Sequence, residues 1–112
     1  RTEKYEKRIL NVLINYGGKF ELTEAFKKLV SKSTNYEKIE ITEKDIEKNL
    51  FISTPVDLLI RTGGYNRLSN FMLWQTAYSE IYSTKTLFPD FSKKEFMKAI
   101  RWYSSVKRNF GT

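Results

Sequence analysis

Apolar positions along this chain fall into runs of two kinds, and their alternation predicts an α/β domain, part of a mostly parallel sheet flanked by helices. "ILNVLINY", Ile9 to Tyr16, is nearly continuous, rich in β-branched residues, and stops at Gly17-Gly18. Such a run predicts a strand covered on both faces. In "KFELTEAFKKLVSK" the spacing changes: Leu22, Phe26, Leu29 and Val30 recur at helical intervals and predict an amphipathic helix. Strand, glycine turn and helix together make one βα unit. Polar residues from Ser33 to Glu40 predict a loop, and Thr42 is a suitable N-cap for a short helix over "EKDIEKNL", with acids in its first turn. After Pro55, "VDLLI" (Val56 to Ile60) predicts a second buried strand. "FMLWQTAYSEIYS" reads as a short helix near Leu73 to Tyr78 and a short strand around Ile81 to Ser83, and "FPDF" reads as a turn. Ser92 with Glu95 has the spacing of a capping box, opening a helix to about Arg108 with Phe96, Ile100 and Tyr103 on one face. Repeats, low-complexity segments and internal linkers are absent.

Composition narrows the chemistry. A chain of 112 residues suits one domain, and 40% hydrophobic with 15% aromatic content is enough for a core rather than a disordered chain. Cysteine and histidine are both missing. That excludes disulfide frameworks, thiolate zinc sites, cysteine nucleophiles, Ser-His-Asp triads and histidine general bases. Any metal would be a hard, oxygen-liganded ion such as magnesium. The formal charge of +7 calls for an anionic partner (nucleic acid, a membrane surface or a phosphorylated small molecule) or for nothing more than a lysine-rich solvated surface. Lysines alternate with acids in "EKIEITEKDIEK", a pattern unlike the massed basic face of a nucleic-acid binder, so no nucleic-acid partner is expected. No apolar run approaches the ~20 residues of a membrane span, and no stretch resembles a signal peptide. A cytoplasmic location, or one peripheral to the inner membrane, is the expectation.

The stretch "IRTGGYNRLS", Ile60 to Ser69, concentrates the candidate chemistry. It follows a predicted strand, and ligands of open parallel sheets gather beyond the carboxyl ends of the strands. Arg61 and Arg67 can each grip a pair of phosphate oxygens, and Ser69 can donate one bond more. Gly63 and Gly64 allow close backbone approach and can present N–H groups to an anion. Charge-assisted bonds contribute roughly 1.5–3 kcal/mol each, so the cluster can hold a diphosphate. A glycine turn whose arginines point into water accounts for the same letters. This is not a Walker A loop, which needs a Gly-Lys-Ser/Thr ending. Glu80 sits in the apolar and aromatic "AYSEIYS", where a bound magnesium or an arginine would offset its burial; a surface glutamate at a strand start is the plainer alternative. Phe71, Trp74, Tyr78 and Tyr82 are either core or the lining for an apolar tail. Asn15, beside Tyr16 and the first glycine pair, is a lesser candidate with turn chemistry as its default explanation.

The block "DLLIRTGGYNRLSNFMLWQTAYSEIYSTKTLFPDF", Asp57 to Phe91, together with "NYGGKFEL" and the terminal "KRNFG", resembles the second half of the cis-prenyltransferases, in particular the bacterial undecaprenyl diphosphate synthases. The resemblance covers essentially the whole chain. It implies the C-terminal half of a single catalytic domain that condenses isopentenyl diphosphate with an allylic diphosphate, usually farnesyl diphosphate. The implied product is a long polyprenyl diphosphate, the carrier lipid of cell-wall synthesis, and magnesium is the implied cofactor. By the same resemblance, Arg61, Arg67 and Ser69 fall on positions that bind isopentenyl diphosphate, with Asn15, Gly63 and Gly64 in support. Glu80 falls on the glutamate associated with magnesium. A homodimer is implied, as is peripheral membrane association through the lipid product.

Three departures stand out. Tyr65 replaces the glutamate that usually follows the glycine pair, and Asn66 takes the next position. Asn109 stands where the family often has an arginine, with Arg108 one position earlier, which puts the family's tail contact across the dimer in doubt. The Asp-Gly-Asn-Gly-Arg-type motif of the family's first half, with its magnesium-binding aspartate, is missing. The chain also begins "RTEKYEKR" without methionine, so it is expected to be part of a longer enzyme and inactive by itself. A non-catalytic subunit of a two-component cis-prenyltransferase is the rival reading, although such partners tend to lose the residues that Arg61, Arg67, Ser69 and Glu80 retain.

Overall fold

A computed structural model describes residues 8–34 and 38–110. Helix α1 spans Gly18–Lys32. Helix α2 spans Glu43–Asn49, strand β1 Leu58–Arg61, strand β2 Glu80–Ser83, and helix α3 Lys93–Ser105. A 3₁₀ turn over Phe88–Asp90 realises the turn expected at "FPDF". Strands β1 and β2 pair in parallel, with Leu58 opposite Glu80 and Arg61 opposite Ser83. A parallel strand pair accompanied by helices is the architecture expected from the sequence, although the connection from β1 to β2 consists of turns.

Each helix starts where its sequence dictates. Thr42 and Asp45 form a reciprocal capping box at α2, and the bonds from Thr42 hold the Asp45 carboxyl below the usual carboxylate range. At α3 the Ser92 hydroxyl accepts from the Glu95 N–H. That helix ends at Ser105 rather than near Arg108, because Arg108 turns away to bond Asp57, the Tyr103 hydroxyl and the Tyr78 carbonyl. Ala99 is the fully buried residue of α3, and Tyr82 of β2 meets Trp102 at 5.4 Å between ring centroids. Phe96, expected on the packed face, is exposed.

Three expected elements differ. The run Ile9 to Tyr16 forms no strand, and Ile9, Leu10 and Ile14 are 85%, 88% and 84% exposed. A strand exists only through a partner's ladder bonds, and the sheet of the described residues contains β1 and β2 alone. The second strand starts two residues late, because the Val56 N–H donates to the Gln75 carbonyl and its own carbonyl accepts from Ser79. Finally, the stretch Leu73 to Tyr78 is a series of turns rather than a helix. Its bonds mix four-residue and three-residue closures, Thr76 to Met72 beside Ala77 to Trp74. Left-handed backbone at Ser69, Asn70 and Met72 interrupts the helical path just before it.

The core is organised by one buried polar cluster. Glu21 is 1% exposed and lies between Gly18 and Ala25 on the buried face of α1. Its carboxyl accepts from the Phe51 and Ile52 N–H groups at 2.8 and 3.2 Å, from Gln75 Nε2 at 2.9 Å, and from the Tyr16 hydroxyl. Gln75 Nε2 also donates to the Ile52 carbonyl at 2.7 Å. Four donors converge on one carboxyl, offsetting the cost of removing it from water.

Two outcomes follow from this cluster. Glu21→Ala in the whole protein leaves two backbone donors unpaired and should lower the unfolding free energy by about 2–3 kcal/mol in chemical denaturation; a loss below about 0.5 kcal/mol, the range of an ordinary surface change, would contradict the cluster's role. Burial, then the bond to Glu21, pushes the Tyr16 hydroxyl well above its ordinary range. A folded-state pKa raised in this way contributes stability that is complete below about pH 10, the unfolded value for tyrosine, and is lost as pH rises through the folded value. Tyr16→Phe should therefore lose less stability than the unsubstituted protein between pH 9 and 11; identical pH profiles would contradict it.

Candidate functional site

Strand β1 carries the apolar run out to Arg61, and the chain then turns at Thr62-Gly63-Gly64. Gly63 and Gly64 have φ of 86° and 81°, the left-handed region that glycine adopts without a Cβ penalty. Their N–H groups are not available to a ligand: Gly63 donates to the Thr86 carbonyl and Gly64 to the Thr84 carbonyl, both at 2.9 Å, while the Thr84 N–H donates to the Arg61 carbonyl. The glycine pair thus extends the β1–β2 ladder past the strands and aims the following residues. Lys85 lays its stem against Gly64.

Arg61 is half-buried, and its Nε is enclosed without a hydrogen-bond partner. Arg67 is exposed. Both guanidinium groups lie over the Tyr65 ring, Arg61 at 5.8 Å and Arg67 at 4.3 Å from its centroid. Ion pairs among the described residues join Lys27 with Glu24 and Arg108 with Asp57; neither Arg61 nor Arg67 takes part in one. Asn66, Arg67, Leu68, Ile81 and Ser83 line an open hollow of about 430 Å³ between this loop and the end of β2. A second hollow, of about 480 Å³, lies at the opposite end of β1 around Asp57 and Arg108, whose charges already satisfy each other. The first is the one lined by a cation outside any ion pair, Arg67.

Ser69 is exposed and begins a left-handed pair, with φ of 50° at Ser69 and 63° at Asn70. Non-glycine residues adopt this region rarely, asparagine more readily than most. Asn70 is held there by the start of α1: its Oδ1 accepts from the Lys19 N–H at 2.9 Å and its carbonyl from the Gly18 N–H at 2.6 Å. Gly17, the N-cap of α1, offers no side chain, so Asn70 satisfies two donors that the helix itself leaves open. A Cβ on Gly18 would stand 2.8 Å from Leu73 Cγ, and one on Gly17 would stand 2.9 Å from Asn70 Nδ2. The first glycine pair therefore serves the docking of the Ser69 loop.

The other sequence candidates are placed apart from this group. Glu80 opens β2, half-buried and opposite Leu58, three residues along the ladder from the Arg61 position. At about 3.3 Å per residue that is roughly 10 Å. No group of three acidic side chains suited to a metal gathers among the described residues. Asn15 is exposed with φ of 51° and belongs to the turn before Tyr16. The aromatics divide: Trp74 and Tyr78 line the second hollow together with Phe110, and Phe71 and Tyr82 line neither hollow. Phe71 packs edge-on against Tyr16, Trp74 donates to Glu47, Tyr78 meets Phe110, and Tyr82 meets Trp102.

Sequence reasoning missed Asn70, Gln75 and Glu21, which position the loop without facing a ligand. A glutamine inside "FMLWQTAY" was the available signal, since a polar residue in an apolar run needs a buried partner. Spacing of three and four residues between Gly18, Glu21 and Ala25 was another.

Comparison with known proteins agrees with this fold. The family profile described as "Putative undecaprenyl diphosphate synthase" matches residues 1–111. A farnesyl-diphosphate-specific ditrans,polycis-undecaprenyl-diphosphate synthase of Buchnera aphidicola is 50% identical over 114 residues, covering 98% of this chain and 45% of that protein. An isoprenyl transferase of Thermotoga maritima is 42% identical over 113 residues, covering 99% of this chain and 48% of its own length. The chain thus spans less than half the length of these relatives. Among solved structures, a probable undecaprenyl diphosphate synthase from Campylobacter jejuni superposes with a TM-score of 0.77 at 39% identity, over 88% of this chain and 45% of that one. A lavandulyl diphosphate synthase from Lavandula x intermedia, in complex with dimethylallyl diphosphate, gives the same TM-score at 36% identity, over 88% of this chain and 44% of that one. Sequence and fold agree along almost the entire chain: it belongs to the undecaprenyl diphosphate synthase family of prenyltransferases.

Proposed function

We propose that the whole protein condenses isopentenyl diphosphate with an allylic diphosphate, farnesyl diphosphate by analogy with its relatives, to a long polyprenyl diphosphate, and that this chain, one half of the catalytic domain, holds the isopentenyl diphosphate. The observation that carries this reading is the pair of unneutralised arginines on one ring at the carboxyl end of β1, with Arg61 Nε enclosed and partnerless. A diphosphate offers the acidic oxygens and negative charge these groups lack. Arg61 and Arg67 grip it, Ser69 donates to it, and the isopentenyl double bond is thereby fixed in place.

In the reaction, the bond between the allylic carbon and its diphosphate oxygen breaks, and the electron pair leaves with the diphosphate. The isopentenyl double bond supplies the pair for the new carbon–carbon bond, and a proton is then lost beside the resulting cation. Positioning supplies much of such a rate, and fixed positive charge near a transferring diphosphate supplies another large share. Magnesium binds through one or two protein carboxylates and otherwise through substrate oxygens and water; Glu80, roughly 10 Å along the ladder from the Arg61 position, is the described carboxylate that would hold it. When bound, magnesium neutralises diphosphate charge as a Lewis acid. Exposed apolar side chains on the 3₁₀ turn and α3, among them Leu87, Phe88 and Met97, support a homodimer. No described helix is long and apolar enough to cross a membrane, and the lipid product is the proposed route to a membrane surface.

Arg61→Ala and Arg67→Ala in the whole protein should each raise KM for isopentenyl diphosphate about tenfold or more, near 1.4 kcal/mol, in steady-state condensation assays. Unchanged KM in both variants would refute the assignment. Glu80→Gln should raise the magnesium concentration for half-maximal turnover roughly tenfold; a titration that overlays the unsubstituted enzyme removes Glu80 from metal binding.

A further inference from the structure

Two guanidinium groups meant for one diphosphate repel each other while the site is empty. Something must hold them together without consuming the donors that the ligand needs. A carboxylate would attract both but would occupy their N–H groups and cancel half of the pair's charge. An aromatic ring acts differently. Its face attracts cations through the π quadrupole, and a guanidinium lying over a ring leaves its in-plane N–H groups directed outward.

Tyr65 is placed to act this way. Its ring stands 4.3 Å from the Arg67 guanidinium and 5.8 Å from that of Arg61. The ring carbons Cδ2 and Cε2 lie 3.8 and 4.0 Å from where a Cβ on Gly63 would sit, so the glycine turn backs the ring. Tyr65 remains 50% exposed, so the ring is part of the open site and not of the core.

We infer that Tyr65 is a positioning residue that gathers Arg61 and Arg67 at one ring, keeping both charges free for a diphosphate. The inference rests on the reading of Arg61 and Arg67 as the diphosphate grip.

The test is calorimetric titration of inorganic diphosphate into the whole protein with EDTA present, for Tyr65→Phe, Tyr65→Leu and Tyr65→Glu, with Arg61→Ala and Arg67→Ala alongside. Tyr65→Phe keeps the ring and should bind within twofold of the unsubstituted protein. Tyr65→Leu should bind about fivefold more weakly, the loss expected for cation–π contacts at a partly exposed site. Tyr65→Glu places a carboxylate that competes for the arginine N–H groups and should weaken binding more than tenfold. In condensation assays Tyr65→Leu should raise KM for isopentenyl diphosphate and leave kcat within twofold, a split that a general loss of structure does not produce. If the arginine variants lose binding while Tyr65→Leu and Tyr65→Glu match Tyr65→Phe, the ring is inert and the inference fails with the site reading intact. Diphosphate binding unchanged in the arginine variants would overturn both together.

Discussion

Everything near the site depends on one carboxyl group. Glu21 draws together three segments distant in sequence: α1, the connection from α2 into β1, and the turns that follow the Ser69 loop. No cation takes part in its bonds. Neutral donors alone offset its burial, and each of them belongs to backbone or side chain that must stay fixed. Gln75 relays the constraint, since its side chain bonds both Glu21 and the Ile52 carbonyl while its main-chain carbonyl accepts from Val56. The point at which the chain enters β1, and hence the height at which Arg61 leaves it, is set from there.

From that anchor the site is assembled mostly by backbone. The Gly63-Gly64 turn continues the ladder onto Thr84 and Thr86, and the Ser69-Asn70 bend is clamped to the first N–H groups of α1. Several left-handed residues in this short stretch carry conformational cost, and cost of this kind persists only where the surroundings over-determine the backbone. What the fold secures is a loop that presents two arginines and a hydroxyl, while Asp57 is bonded to Arg108 and Glu21 within its own cluster.

Much of this was legible in the sequence, for identifiable reasons. Helix starts at Thr42 and Ser92 were readable because capping is local chemistry, and the strand into Arg61 was readable because its apolar run is bounded by Pro55 and the glycine pair. Arginine and serine spacing marked the proposed ligand loop in the same local way. The strand expected at Ile9 to Tyr16 shows where local reading stops: periodicity reports what a segment can bury, and pairing decides whether it becomes a strand. The helix expected near Leu73 failed because Gln75 answers to Glu21, 54 residues away. Spacing could not show that the glycine N–H groups were already bonded, nor that two guanidinium groups share the Tyr65 ring. Those are facts of tertiary structure, and in each the sequence held only an indication: a polar residue in an apolar run, or an aromatic where an acid was expected.

The central claim is that the carboxyl end of β1 is a diphosphate grip. A crystal structure of the whole protein with isopentenyl diphosphate tests it most directly. The account predicts diphosphate oxygens within hydrogen-bonding distance of Arg61 Nε, the Arg67 guanidinium and the Ser69 hydroxyl, beside the Tyr65 ring. A diphosphate bound away from these residues, with neither Arg61 nor Arg67 bonded to it, would contradict it.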